Sequence, residues 1–366
     1  MKKVLFISNI PTPYRNSFYN ELGKKVDLTV IYEAYGASDQ GIRFNWDVSQ
    51  IQNYEAIFLK DGDIEEKKLN KKIFKWLKLK WDYIFVTNYS YRTEMVALLY
   101  LKFHHIPYAM EVDGGTIKQE NIIKSFMKKK LISGAKQYFS PSEQTDKFLK
   151  RYGANGEKIV RYNFTSLYER QILKTIIPKF KKNEIKKELG INEKKVIVGV
   201  GQLIQRKGWD TLLLAAKDLD AGIYIIGEGN LRKKYEELIK ETQLKNVHLV
   251  GFLNDEKTTK YYQAADVFVL PTRYDVWGLV INEALANGLP VITTTQCIAG
   301  EELILDGENG FLISTDNSNF LATRINTILS DIGLKNKMSV KALKSIQPYT
   351  IENMVNVHWQ YIQNEW

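Results

Sequence analysis

VFVLPTRYDVWGLVINEALANGLPVI, residues 267–292, is the stretch whose reading decides the fold of this chain. Val267–Leu270 is a short, wholly apolar run rich in β-branched and aromatic residues, which reads as a strand buried on both faces. It leads into a loop carrying Asp275, and a helix opens at Gly278 with Glu283 inside it. Strand, loop and helix in that order make half of a βαβ unit. The first turn, at Gly278, Leu279 and Val280, offers unpaired backbone N–H groups and the positive pole of the helix dipole, which suits a phosphate group. Leu279, Glu283 and Ala286 fall on one helical face, so Glu283 can point to the same side as the loop. Two carboxylates therefore flank one anion-attracting helix end. The alternative is a buried βα unit whose loop acids are simply solvated, and the rest of the chain must decide.

Working outward, the second half repeats the scheme. Strands are expected at Val196–Val200, 223–226, 248–250, Val267–Leu270 and 291–293, each followed by a helical pattern, as in a parallel sheet covered on both faces. The first half alternates in the same way, with strand-like runs at Lys3–Ser8, 28–32, 83–87 and 107–112. The rhythm breaks between residues 164 and 187, where Pro178 and a lysine cluster intervene. The final residues place Ile351, Met354, Val355, His358, Trp359 and Ile362 at helical spacing, so this helix can return to the first domain. The fold class is thus α/β: residues 1–165 one Rossmann-like domain, 166–194 a linker region, 195–347 a second Rossmann-like domain, and 348–366 a returning helix.

Composition fits a folded two-domain chain. The 366 residues are 44% apolar and 26% charged, enough to build a sizeable core. The single cysteine, Cys297, excludes an intrachain disulfide and fits a reducing cytoplasm, most simply as a small buried hydrophobe. The apolar run after Met1, Lys2 and Lys3 ends at Ile7, too short for a signal peptide or a spanning helix. The net charge of +10 is uneven: residues 1–183 hold 32 Lys+Arg against 19 Asp+Glu, and residues 184–366 hold 20 against 23. That asymmetry points to an anionic partner for the first half.

Four segments of the second half together resemble the glycosyltransferases of GT-B fold, family 4 type. They are Gly199-Val-Gly201-Gln202-Leu-Ile-Gln-Arg206-Lys207-Gly208, then Ile226-Gly227-Glu228-Gly229, then Val250-Gly251-Phe252-Leu253, and the opening segment continued by Glu302 to Gly310. The resemblance implies two Rossmann-like domains facing across a cleft. It also implies transfer of a sugar from a nucleotide-diphosphate donor, with retention, to a glycan or lipid-linked hydroxyl in surface polysaccharide synthesis. In that scheme Lys207, with Arg206 beside it as the substitute, contacts the donor diphosphate, the amides after Gly278 at Leu279 and Val280 cradle it, and Gly201, Gln202 and Gly227 lie on the donor-binding loops. Glu283 accepts the ribose hydroxyls, Asp275 holds the donor sugar, and Gly251, Phe252 and Leu253 read the base. Lys207 and Asp275, with Asp113 on the acceptor side, are the catalytic candidates. No metal and no cofactor beyond the donor are implied. The chain departs from the family in having Gln202 where Arg is common, Asp275 where Glu is common, and Glu111-Val-Asp113-Gly114-Gly115 where a His is common.

In the first half, Asn9 to Arg15 follows a strand, and Arg15 is placed either to meet an anionic acceptor or in a rigid helix start with Pro13 in its first turn. Asn88, Tyr89 and Arg92 follow another strand. Residues 67–81, KKLNKKIFKWLKLKW, run from Lys67 to Trp81 with seven lysines and an apolar stripe, and residues 122–136, from Ile122 to Lys136, repeat the theme. Basic amphipathic helices of this kind suit an anionic membrane surface, here the inner face of the cell membrane, and otherwise a solvated face packed inward. Three other readings compete. A dinucleotide oxidoreductase would need the third glycine missing after Gly199-Val-Gly201. A metal-dependent transferase would rest on Asp61-Gly62-Asp63. A basic nucleic-acid or membrane-surface binder without transferase activity uses the charge, but no nucleic-acid motif is present and nucleic acid is not an expected partner.

Overall fold

The computed structural model describes residues 1–39, 42–45, 48–65 and 67–364, and the chain divides into two compact units. Unit 1 comprises Met1–Ser166 with Tyr349–Trp366, and unit 2 comprises Leu167–Pro348.

Unit 1 has strands β1 (Lys3–Ser8), β2 (Asp27–Tyr32), β3 (Gly36–Asp39), β4 (Ile42–Asn45), β5 (Glu55–Phe58), β6 (Tyr83–Val86), β7 (Ala109–Glu111), β8 (Gln137–Ser140) and β9 (Ile159–Arg161). Seven form one sheet in the order β5-β2-β1-β6-β7-β8-β9, and every pairing in it is parallel, while β3 and β4 make a separate antiparallel pair. Alternation along β1 divides the core. Leu5 and Ile7 join Ile84, Val86, Leu98 and Leu101 on one face. Phe6 stacks on Phe85 on the other, with ring centroids 4.2 Å apart, and Phe18 and Tyr19 of the helix Pro13–Gly23 pack edge-on against it. The helix Ile351–Gln363 covers this second face, where the His358 ring stacks on Phe139 at 4.5 Å. Its N-cap is Thr350, which accepts from Asn353 N. The helix ends at Gln363, short of the expected residue 366, and residues 365–366 lie outside the described residues.

Unit 2 has strands β10 (Val196–Val200), β11 (Gly222–Ile226), β12 (Val247–Gly251), β13 (Val267–Leu270), β14 (Val291–Thr294) and β15 (Gly310–Ile313). They form one parallel sheet in the order β12-β11-β10-β13-β14-β15. β15 is absent from the sequence expectation because its four residues open on Gly310 and follow the turn-forming run Asp306-Gly307-Glu308-Asn309, which reads as loop.

Two expectations meet the structure here. The linker region expected at 166–194 is not a structureless connection, and from Leu167 onward its residues belong to unit 2. They carry the helix Lys179–Glu188, whose Lys182 donates to Ala265 O at 2.5 Å and whose Lys186 donates to Lys194 O at 2.8 Å. Both ammonium groups face the buried carboxylate of Asp266. Residues 67–81 are not an amphipathic helix along their length either: only Ile73–Leu77 is helical. Ile73 and Leu77 are in the core, Phe74, Trp76 and Trp81 pack against it, and Trp81 Nε1 donates to Trp76 O at 2.9 Å. The apolar side of this segment faces inward. No helix among the described residues is long and apolar enough to cross a membrane.

Candidate active site

Chain order in unit 2 reverses between β10 and β13: the sheet grows from β10 through β11 to β12, and in the other direction from β13 through β14 to β15. The connections leaving the carboxyl ends of these two neighbours lead to strands on opposite sides of the pair, and such a switch point is where open α/β sheets bind ligands. The loop after β10 carries Gln202, Arg206 and Lys207, and the loop after β13 carries Asp275. They are pinned backbone to backbone. Arg206 O accepts from Arg273 N at 2.7 Å and from Thr272 Oγ1 at 2.8 Å. Gly208 makes this approach geometrically allowed, having φ +67° and a Cα face on which a Cβ would lie 2.1 Å from Pro271 O.

The approach brings charges together. The Lys207 ammonium donates to Asp275 Oδ2, and Arg206 donates to Oδ1 at 3.3 Å. Lys207 and Asp275 are both 7% exposed. Two cations on one carboxylate leave a net positive charge, in which the Lys207–Asp275 contact is shielded from water and its electrostatics are strong, while Arg206 is partly exposed. The helix Leu279–Ala286 begins four residues beyond Asp275, with no side-chain cap and no acid in its first turn. Its positive pole is therefore not neutralised by its own sequence. Gly278 starts it at φ +104°, directly over Cys297, whose Sγ would lie 2.8 Å from an added Cβ. Burial pushes the Cys297 thiol up to about 12, so it stays protonated and donates to Trp277 O at 3.0 Å. Trp277 Nε1 in turn donates to Asn282 Oδ1 at 2.9 Å, fixing the loop to the helix.

Glu283 sits one turn further along, half-buried, and accepts from Tyr262 OH at 2.9 Å. Burial raises its carboxyl above the usual range, Tyr262 opposes the shift and Asp255 adds to it. Glu283 is thus held by the helix Asp255–Ala264 and not by the Lys207–Asp275 group. The glycine-bearing loops form a continuous rim: Gly201 N donates to Ile226 O and Gly227 N to Gly251 O, both at 2.9 Å. Beside Gly251, Phe252 is 80% exposed and Leu253 half-buried. Gln202 contributes its carbonyl, which accepts from the fully buried Trp209 Nε1 at 2.9 Å.

A family model for glycosyl transferases group 1 matches residues 181–345. Unit 2 is a glycosyl transferases group 1 domain. The chain is 29% identical over 175 residues to an uncharacterized glycosyltransferase of Methanocaldococcus jannaschii, covering 47% of this chain and 50% of that protein. It is 28% identical over 154 residues to the lipopolysaccharide core biosynthesis glycosyltransferase LpsE of Rhizobium meliloti, covering 41% and 44%. The chain spans about half the length of the curated relatives it matches. Its whole length superposes on Anabaena Alr3699/HepE, crystallised in complex with UDP, with a TM-score of 0.79, 16% identity and 99% of each chain covered. Both units together therefore have the GT-B fold.

Sequence reasoning misses two residues that build the group 1 domain's loops. Arg273 donates to Gln205 O at 2.7 Å, to Asp210 at 2.8 Å and to Asp316 at 2.8 Å, and these carboxylates raise its already high pKa. Its place between a strand and Asp275 was the available signal, but its partners are distant in the chain. Tyr262 orients Glu283 from a helix whose sequence shows nothing unusual.

Asp113 belongs to unit 1. The same reversal of chain order occurs there between β1 and β6, and Asp113 follows the neighbouring strand β7. Arg15 is 2% exposed and donates to Glu111 at 2.6 Å and to Asp113. Tyr14 OH and Tyr162 OH donate to the Asp113 carboxylate at 2.9 and 3.3 Å. Glu111 is fully buried, and His358 Nε2 lies 3.5 Å from its second oxygen. Burial alone would raise the Glu111 carboxyl, but Arg15 and then His358 outweigh it and hold it well below the usual carboxylate range. Of the two readings of Arg15, the helix start with Pro13 in the first turn matches the structure, and the guanidinium is committed to carboxylates. Asn88 closes its own turn by accepting from Tyr89 N and Ser90 N, Tyr89 packs against the core, and Arg92 is exposed. The Asp61 to Asp63 turn is closed by Lys60, which donates to Asp63 O at 3.2 Å.

Proposed function

We propose that the protein is a glycosyltransferase that moves a hexose or related sugar from a nucleoside diphosphate sugar to a hydroxyl of a glycan or lipid-linked saccharide, with retention and without a metal, in surface polysaccharide synthesis. The observation that carries this reading is the Lys207, Arg206 and Asp275 group beside the uncapped helix start at the switch point of a group 1 domain. A donor diphosphate competes with Asp275 for the two cations. Once Lys207 and Arg206 turn to phosphate, the Asp275 carboxylate is released to accept a donor sugar hydroxyl. Donor binding and Asp275 placement are then one exchange of partners. The same cations and the amides of Leu279 and Val280 stabilise the negative charge that develops on the departing nucleoside diphosphate. Glu283, prefixed by Tyr262, accepts the ribose hydroxyls, and the base stacks on the exposed Phe252 ring beside Gly251 and Leu253. Asp113, held in one orientation by Arg15, Tyr14 and Tyr162, is the acceptor-side hydrogen-bond acceptor. Catalysis on this reading rests on positioning and leaving-group stabilisation.

UDP is the first nucleotide to test, because the structurally similar HepE was crystallised with it. Thermal unfolding with UDP, GDP, dTDP and CDP, and with ADP and NAD as controls, should show stabilisation by a nucleoside diphosphate of about 2.7 kcal/mol at a hundredfold excess over Kd. Lys207→Ala should weaken that binding about 10- to 100-fold, the worth of a charge-assisted contact. Binding by NAD alone, or equal binding by Lys207→Ala, would overturn the reading.

A further inference from the structure

The helix Ile122–Ile132 has two apolar faces, and only one is used by the fold. Leu131 and Ile132 are buried in the core of unit 1. Ile122, Ile123, Phe126 and Met127 point outward and are 88%, 76%, 65% and 46% exposed, with Ile117 just before them at 54%. At 3.6 residues per turn these four helical side chains span an arc of about 140°, with Lys124 and Lys129 on its two flanks. Asn121 caps the helix by accepting from Lys124 N at 2.8 Å, so the exposed end is formed rather than frayed. Residues 121–142 contain five lysines and no acidic residue. Lys128 is engaged, pairing with Glu120 at 2.6 Å and lying 5.0 Å over the Tyr152 ring, while Lys124, Lys129, Lys130 and Lys136 are exposed.

We propose that this helix docks the protein on an anionic lipid surface, with Ile122, Ile123, Phe126 and Met127 inserted at the headgroup boundary and Lys124, Lys129 and Lys130 against the lipid phosphates. A contiguous row of large exposed apolar residues marks an interaction site, and the ring of lysines selects its partner. Pairing with a second copy of this face would set lysine rows of like charge against each other. Residues 67–81 carry comparable charge, but their aromatic side chains pack inward, so the inference narrows to this helix. It is independent of the transfer reading, since lipid binding is measured without any donor.

The test is co-sedimentation of the full chain with phosphatidylcholine vesicles, with and without phosphatidylglycerol. Binding should require the anionic lipid. Each neutralised lysine should cost about fivefold in partitioning, so Lys124→Gln, Lys129→Gln and Lys130→Gln together should cost about a hundredfold. Ile122→Ser with Phe126→Ser should cost a similar factor through lost apolar burial, with the melting temperature unchanged because both side chains are exposed. Phe126→Trp should add a blue-shifted emission component on anionic vesicles. Undiminished sedimentation of the double serine variant, no spectral shift, or a lipid-free dimer that this variant dissociates would overturn the proposal.

Discussion

Arg15→Met removes one buried cation from between two carboxylates, and the consequence can be worked from the unit 1 geometry. Arg15 is 2% exposed and Glu111 fully buried, so water cannot replace the lost partner. Breaking a buried pair by deleting one member costs about 3–5 kcal/mol. The groups facing Glu111 besides Arg15 are His358 at 3.5 Å, Asp113 across the guanidinium, and the hydroxyls of Tyr19 and Tyr162. His358 offsets part of the loss, which places the expected cost at about 3 kcal/mol, a fall of about 6–12 °C in melting temperature for a unit of this size. The pH dependence must also change sign. In the native protein the Glu111 carboxyl is held below its unfolded value, so its contribution is full above about pH 4.3 and is lost as pH falls through the folded value. Without Arg15, burial dominates and the folded value rises above the unfolded one. The variant then regains stability relative to the native protein as pH falls from about 7 to 5. Arg15→Met with Glu111→Gln should recover most of the loss, because a neutral pair needs no counter-ion. Thermal unfolding of the three proteins across that pH range is the assay. A cost under about 1 kcal/mol, or a deficit that does not shrink on acidification, would refute the reasoning.

Two further outcomes are expected from unit 2. Glu283→Gln should stabilise the unliganded protein at neutral pH by up to about 1 kcal/mol, because burial raises the carboxyl and its ionised form is paid for in stability. The gain should vanish toward pH 4, where the native carboxyl is protonated in both states, while affinity for a nucleoside diphosphate falls about tenfold and affinity for pyrophosphate is kept; calorimetry with both ligands reads the difference. Gly208→Ala places a Cβ 2.1 Å from Pro271 O at φ +67°, and should cost about 2–4 kcal/mol in urea unfolding, with nucleotide binding lost through separation of the Arg206 and Arg273 loops.

Several parts of this architecture can be read from residue order alone, because they depend on local periodicity and turn chemistry. Val267–Leu270 is too short and too apolar for anything but a covered strand, and the same logic locates β1, β10 and the neighbours of β11 and β12. The spacing of Ile351, Met354, Val355, His358 and Ile362 defines a helix with one apolar face, and all five side chains are buried. The loop glycines and Lys207 are legible as a set because their separations match a family pattern. Length alone does not decide this, since β13 has only four residues: β5, β8, β9 and β15 each include a polar residue or a glycine where β13 is wholly apolar, and pairing by neighbours, rather than their own composition, makes them strands.

Charge is where the sequence by itself stops. It places Lys207 and Asp275 on loops after two different strands, but only the order β10-β13 in the sheet makes those loops neighbours and turns the two residues into a pair. It shows Arg15, Glu111 and His358 as three unrelated positions, and the folded unit buries them as one cluster. It shows two lysine-rich amphipathic segments that look alike. Packing alone decides that residues 67–81 turn their aromatic rings inward, while Ile122, Ile123 and Phe126 remain outside. Local sequence determines which elements form and which face of each is apolar, because those follow from a few residues at fixed spacing. Which charges meet, and which apolar face is left uncovered, depends on contacts between segments far apart in the chain, and those exist only once the sheets are assembled.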